Sequence, residues 1–341
     1  MTYHSTFRKG AVWKTGEDRH RLSGPWESLM TECQMAGKLQ ALVQNKASQL
    51  TSYGYLLTNG SGPINQLSHL QLIRLTLDYD HWDQVFGSAA SGQARLTVFN
   101  KRRVKDFCIT DLDDEKTNKL RQIFRKFCNK KINPYNYSSP WPEKLTKWKE
   151  ETLARHKRLA HSNKGFVAEG DALYNLLAGV IKNQIPLRIY VAGDTASLEI
   201  KVDLSEAGHK NNIVWSCNSS SLIKLDLNAL GKGWVVSNTC ICCGKNVCSL
   251  EFYSSSGQVQ LIIKNTEEHL EGAWQSLLAS LCTTCDGGSW QWERKSLIPR
   301  SGILKTNDSH RVDNPSSHRN IKRTPCMVVV VLICLLAWEK V

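Results

Sequence analysis

Leu72-Ile73-Arg74-Leu75-Thr76-Leu77 returns as Leu222-Ile223-Lys224-Leu225-Asp226-Leu227, and this echo decides the reading of the fold. Downstream of the first copy, Trp82-Asp83-Gln84-Val85-Phe86 precedes Ala94-Arg95-Leu96-Thr97-Val98-Phe99. Downstream of the second, Trp234-Val235-Val236 precedes Cys248-Ser249-Leu250-Glu251-Phe252-Tyr253. Each half then closes on a helical apolar stripe, Leu120/Ile123/Phe124/Phe127 and Trp274/Leu277/Leu278/Leu281. The landmarks keep their order at an offset of about 150 residues, too long for a solenoid unit of a few tens of residues. The expectation is an internal duplication: two similar halves with a site between them.

The local signals give the class. Leu39–Val43, Tyr53–Leu57, Leu70–Leu77, Arg95–Asn100 and Val104–Ile109 read as strands, and Asn59-Gly60-Ser61-Gly62-Pro63 and Gly87–Gly92 as the turn chemistry that breaks them. Ser23-Gly24-Pro25-Trp26 opens a helix that stops near Gly37. Asp111–Phe127, Glu143–Leu159, Asp171–Ile181 and Glu267–Leu281 carry helical patterns. Strands clustered between helices predict an α+β fold, each half a large antiparallel β-sheet with flanking helices. The expected divisions are a segment 1–25, a first repeat 26–130, a basic helical linker 131–180, a second repeat 181–282, and a polar tail 283–341. Residues 286–325 are too polar to contribute a core and are expected to be disordered.

Composition limits the function. A chain of 341 residues with 41% hydrophobic content can bury a core in each half. Its net charge is +13, and residues 101–164 hold 18 Lys/Arg against 8 Asp/Glu. That excess suits an anionic partner, whether a carboxylate-bearing ligand, an acidic surface or nucleic acid, and equally a solvated helix face. Tyr135, Tyr137, Trp141 and Trp148 add stacking groups there, but no recognised nucleic-acid motif accompanies them. Twelve cysteines in a chain whose first residues lack an apolar export core are expected to be reduced thiols in the cytoplasm. Met327–Trp338 is apolar, but as a helix it falls short of the ~30 Å hydrocarbon layer. No Gly-rich phosphate loop, catalytic triad order or carboxylate pair stands out.

Several runs resemble one family. Gly37-Lys38-Leu39-Gln40-Ala41-Leu42-Val43-Gln44-Asn45, Tyr53-Gly54-Tyr55 and Leu72–Leu77 with Trp82 are similar to the first half of the haemin-degrading and haem-trafficking proteins of the HemS/ChuS/HmuS type. Ile185-Pro186-Leu187-Arg188-Ile189-Tyr190-Val191, Gly233-Trp234-Val235-Val236, Val247–Tyr253, Gly257 and Ala273-Trp274 resemble its second half. The likeness runs from Trp26 to Leu281 and includes the family's own duplication. It implies a cytoplasmic haem-binding protein that accepts haem from an importer and either passes it on or, with an external electron donor, opens its ring and frees iron.

The departures fall on the expected ligands. The resemblance places an axial histidine near Ser139–Trp141, where there is none. Gln44-Asn45 stands for an Arg-Asn pair, Leu50 and Lys224 stand where histidines are expected, and Thr239-Cys240-Ile241-Cys242-Cys243-Gly244 replaces a basic hairpin. Haem iron takes a neutral imidazole most readily. The candidate axial donors are therefore His156 and His161, within Arg155-His156-Lys157-Arg158-Leu159-Ala160-His161, with Tyr135 and Tyr137 as oxygen alternatives. Arg188, Lys201 and Lys224 are candidates for the propionates. The alternative function is a non-enzymatic module without haem ligation, binding an anionic partner through its basic face or zinc through Cys240, Cys243, Cys282 and Cys285, two CxxC pairs of a spacing that can close a tetrahedral site.

Overall fold

A computed structural model of the chain describes residues 19–58, 71–90, 93–111, 114–128, 142–161, 165–239 and 246–286. The first part runs β1 (Arg19–Arg21), α1 (Trp26–Met35), β2 (Lys38–Gln44), β3 (Ser48–Thr58), β4 (Leu72–Leu77), β5 (Trp82–Ala90), β6 (Gln93–Asn100), β7 (Lys105–Thr110) and α2 (Asp114–Cys128). After α3 (Pro142–His161) and α4 (Gly170–Lys182) come β8 (Leu187–Ala192), β9 (Ala196–Val202), β10 (Glu206–Lys210), β11 (Ile213–Cys217), β12 (Ser221–Asp226), β13 (Lys232–Thr239), β14 (Asn246–Tyr253), β15 (Val259–Asn265) and α5 (Glu271–Asp286). The class is α+β, as expected. The expected separate sheet in each half is not what forms: all these strands join one sheet, because β4 pairs with β9 and β12 with β3, and among the described residues only β3 and β4 pair in parallel.

The strand order explains how one sheet accommodates both parts of the chain. In the first part β5-β6-β7-β2-β3 are neighbours; in the second, β13-β14-β15-β8-β9. Two antiparallel pairings cross from one to the other. β4 joins β9, with Ile73 opposite Ile200 and Leu75 opposite Leu198. β12 joins β3, with Ile223 opposite Leu50 and Leu225 opposite Ser48. Ile73 and Ile223 are 150 positions apart, as are Leu50 and Ile200. The hairpin of β10 and β11 extends β12 and has no counterpart among the described residues of the first part.

Hydrogen bonds reinforce this seam. In the β2–β3 turn Asn45 donates to the carbonyls of Ala192 (2.8 Å) and Gln260 (2.9 Å) while its Oδ1 accepts from the amides of Ala47 and Ser48. In the β8–β9 turn Thr195 donates from its amide (2.5 Å) and hydroxyl (2.6 Å) to buried Asp106 of β7. Leu50, where the family resemblance expects a histidine, is fully buried in the seam.

Alternation sets the two faces of the sheet. β2 and β3 bury every second residue, so Leu39, Ala41, Val43, Leu50 and Leu56 share one side. α1 and α2 pack in the core on this first part through Leu29, Met30, Cys33, Leu120, Phe124 and Phe127; in the second part α4 and α5 contribute Leu173, Leu176, Leu177, Trp274 and Leu278 to the same core. Glycine permits the closest approach. Gly87 was expected in a break, yet it sits inside β5, where a Cβ would come within 2.7 Å of the Phe124 ring. Its missing side chain lets α2 close on the sheet, and it is not a turn residue. The helix expected from Glu267 begins later, after a 3-10 turn at Glu268–Leu270. The 286–325 segment, apart from the last residue of α5, and Met327–Trp338 lie outside the described residues. Among the described residues no helix is long and apolar enough to cross a membrane.

Candidate functional site

β14 shows why a site forms on the face opposite α5. Cys248, Leu250 and Phe252 point into the core, and the indole of Trp274 donates to the Cys248 carbonyl at 2.9 Å. The intervening Ser249, Glu251 and Tyr253 therefore face the other way. A second, smaller apolar cluster lies there: Trp234, Tyr253 and Val259, with Leu159, Tyr190, Val236 and Ile262 packed against it. Leu159 belongs to α3, so that helix lies over this face through side chains of its C-terminal half.

Two contacts fix it. Arg155 donates to Glu251 Oε1 at 2.6 Å, and the carboxylate also accepts from the hydroxyls of Ser249 and Tyr253, each at 2.7 Å. Glu251 is almost completely buried, whereas the Arg155 side chain keeps 30% of its exposure. Burial, and then the neighbouring Glu251 carboxylate, push the Tyr253 phenol well above its ordinary range, so it stays a hydroxyl. One residue on, the His156 ring lies edge-on to Trp234 at 5.6 Å and tilted over Tyr253 at 5.2 Å. Its Nδ1 abuts Gly257, where a Cβ would stand 2.8 Å away and where φ is +82°. A positive φ suits glycine, and here glycine also leaves room for the imidazole. Desolvation holds the His156 pKa below 6.5, so the ring is neutral at neutral pH.

Beside these rings is a cavity of ≈470 Å³, bounded by His156, Gly165, Val167, Leu230, Trp234 and Tyr253, with Lys232 also on its wall. Its size is that of a small-molecule site. The 165–168 segment reaches it by pairing with the edge of β13, Phe166 and Gly233 exchanging backbone hydrogen bonds of 2.9 and 2.8 Å. Trp234 is 4% exposed, and its Nε1 has no acceptor among the described residues.

The two histidines predicted from sequence part company. His156 lines the cavity. His161 is exposed, with Nδ1 2.8 Å from the Lys157 carbonyl of its own helix. Of the predicted cations, Arg188 and Lys201 stand opposite each other on β8 and β9, and Lys264 of β15 pairs with Arg188 on its other side. Arg188 reaches Glu199 at 3.6 Å and Lys201 reaches Glu267 at 2.8 Å. Lys264 was not anticipated; burial, followed by Arg188, lowers its pKa. Lys224 is elsewhere, on β12 opposite Gln49, and burial lowers its pKa. The Arg155–Glu251–Tyr253 network was also missed, although the alternation Ser249/Glu251/Tyr253 against Leu250/Phe252 signals a polar face on that strand.

Tyr135, Tyr137, Ser139–Trp141, Cys240 and Cys243 lie outside the described residues. Cys282 and Cys285 fall on α5, their side chains outside the description. Among the described residues no three His, Cys, Asp or Glu side chains gather as a metal site; the side chains of the four cysteines expected to hold zinc are not among them.

No protein-family model and no curated protein sequence matches the chain. Solved structures do. Apo PhuS, a haem-binding protein from Pseudomonas aeruginosa, aligns over 79% of this chain and 87% of its own, at 13% identity and a TM-score of 0.58. Holo PhuS aligns over 76% and 86%, at 14% identity and a TM-score of 0.56. ChuS, an E. coli haem oxygenase, aligns over 77% and 89%, at 12% identity and a TM-score of 0.56. The fold implied by the sequence resemblance is the fold the chain has, that of PhuS and ChuS.

Proposed function

We propose that this chain is a haem-binding protein, with haem seated in the cavity beneath α3 and His156 as the iron ligand. The observation that carries the reading is His156 itself: a neutral, half-buried imidazole on the wall of a cavity, next to indole and phenol rings that suit a flat macrocycle. With Nδ1 turned to Gly257, Nε2 is the nitrogen left for iron. Arg155 is engaged by Glu251, Arg188 by Glu199 and Lys201 by Glu267, while Lys232 on the cavity wall and Arg158 near Tyr253 supply positive charge for the propionates. Haem binding by PhuS and the oxygenase description of ChuS, on the same fold, support the assignment.

In this reading the two parts descend from one duplicated unit, supported by the matched strand orders and the two cross-pairings. α4 then belongs with the second unit as α1 does with the first, which moves that boundary from 181 to about Gly170. The cellular role is cytoplasmic receipt of haem from an importer. Ring opening, where it occurs, needs an external electron donor, and its bond-breaking chemistry comes from the iron when haem is bound. The protein's part is to hold the ring, keep one imidazole deprotonated and limit water.

The test is haemin titration followed by absorption. Wild type and His161→Ala should give the same Soret band and a dissociation constant in the micromolar range or tighter, ~8 kcal/mol at standard state. His156→Ala should shift the band and weaken binding. Unchanged binding by a His156→Ala/His161→Ala double variant refutes the assignment.

A further inference from the structure

We infer that Lys264, Arg188 and Lys201, three cations in line across β15, β8 and β9, form a site for a phosphate group on the sheet face outside the cavity. Strand register puts them there: Arg188 stands opposite Lys264 on one side and Lys201 on the other. Side chains directly opposite have Cβ atoms ~5 Å apart, and like charges so placed repel. The carboxylates within reach do not balance the row. Glu199 is divided between Arg188 at 3.6 Å and Arg74 of β4 at 3.3 Å, and Glu267 takes Lys201 at 2.8 Å. Glu251 on the same face is taken by Arg155. Among the described residues no salt bridge reaches Lys264, so the four cations Arg74, Arg188, Lys201 and Lys264 meet only Glu199 and Glu267.

The charge left over names the ligand. Lys264 is half-buried, and burial followed by the Arg188 guanidinium lowers its pKa, a cost that a bound anion offsets. Arg74, Arg188 and Lys201 keep 55%, 41% and 57% of their side-chain exposure, so a ligand arriving from solvent reaches them. A phosphate group carries about −1.5 to −2 at neutral pH, close to the excess of two positive charges, and a single carboxylate supplies only half of it. The planar fork of Arg188 also suits phosphate oxygens. The row is separate from the cavity. Ser249, the next residue in register beyond Lys264, lies four residues along β14 from Tyr253, ~13 Å at the strand rise, with the Arg155–Glu251 pair between them. The inference does not rest on the haem reading.

The experiment uses full-length protein without haem and inorganic pyrophosphate at constant ionic strength, followed by calorimetry and by thermal melting. Wild type should bind saturably and melt higher as pyrophosphate is added, because a ligand held by the native state alone stabilises it. Lys264→Met should melt at or above wild type without the anion, having lost a repelling charge, and should bind pyrophosphate ~10-fold or more weakly, the scale of one charge-assisted hydrogen bond. Arg188→Met should weaken binding likewise. Lys210→Met removes one exposed charge from β10 and should bind as wild type does. Vesicles of phosphatidylglycerol and phosphatidylcholine separate the two sources of phosphate: co-sedimentation that depends on Lys264 assigns the row to a lipid headgroup, and pyrophosphate binding without it assigns the row to a soluble ligand. No saturable binding of either probe, or equal weakening by Lys210→Met, overturns the inference. So does a loss of haemin affinity in Lys264→Met, which would make the row part of the haem site.

Discussion

One of the contacts that hold α3 is an asymmetric ion pair, and the asymmetry predicts which half is more costly to lose. Glu251 has 2% of its side-chain surface exposed and Arg155 has 30%. Replacing Arg155 with Met leaves a carboxylate under the docked helix with only the Ser249 and Tyr253 hydroxyls for solvation. Breaking a buried pair from one side costs about 3–5 kcal/mol, and the two surviving hydrogen bonds place this case near the lower figure. Replacing Glu251 with Gln leaves the guanidinium, which already meets water; the loss is the difference between a charge-assisted and a neutral hydrogen bond, about 1 kcal/mol. Undocking of α3 lets water reach Glu251, so the penalty acts on the docking equilibrium. Amide hydrogen exchange over residues 150–161 reads it directly. Arg155→Met should raise the exchange rate ~100-fold and Glu251→Gln ~5-fold. An effect of Glu251→Gln equal to or larger than that of Arg155→Met would refute the account of the latch.

How much of this was legible in the sequence depended on whether the signal was local. Alternating apolar residues marked β2, β4 and β6, and the landmarks at Leu96–Phe99 and Leu250–Tyr253 lie on β6 and β14, each the middle strand of an antiparallel run of three. Gly87 was misread because a glycine that admits a helix and one that makes a turn look alike until the Phe124 ring is in place. His156 and His161 are five positions apart in the same basic run, and what distinguishes them is the environment supplied by β13, β14 and the Gly257 turn. Arg155 and Glu251 are 96 residues apart, so their pairing has no local trace. Gln44 and Leu50 looked like lost ligand positions; in the fold Gln44 donates to the Lys105 carbonyl at 2.7 Å and Leu50 fills the seam, while Asn45, which keeps the expected residue, clamps it. Two residues that depart from the haem-family pattern therefore have structural work in the sheet, and the address of His156 on the cavity wall is one that only the tertiary structure reveals.

Two further expectations follow from the seam and from the histidine. Asn45→Ala removes two donors to the Ala192 and Gln260 carbonyls and the acceptor for the Ala47 and Ser48 amides; at about 1 kcal/mol per net hydrogen bond the loss is ~3 kcal/mol or more, and a change under ~1 kcal/mol in urea unfolding would remove the turn from the account of the join. His156 sets a pH dependence whose direction follows from its surroundings. Burial holds its folded-state pKa below the ordinary 6.5, so between the two values the native chain binds fewer protons than the unfolded one. Its contribution is fully present above pH 6.5 and is lost as pH falls through that value towards the folded pKa, because the imidazole must then either stay neutral at a cost or charge against Trp234 and Tyr253. Protonation also removes the lone pair that iron requires, so haemin affinity should decline on the same acid side, with its midpoint below 6.5. Trp234 from β13, Tyr253 from β14 and the Gly257 turn surround the ring, and His156→Gln keeps all of them. If the acid limb of stability, followed by thermal melts from pH 5 to 8, is the same in His156→Gln as in wild type, the titrating group is not this histidine.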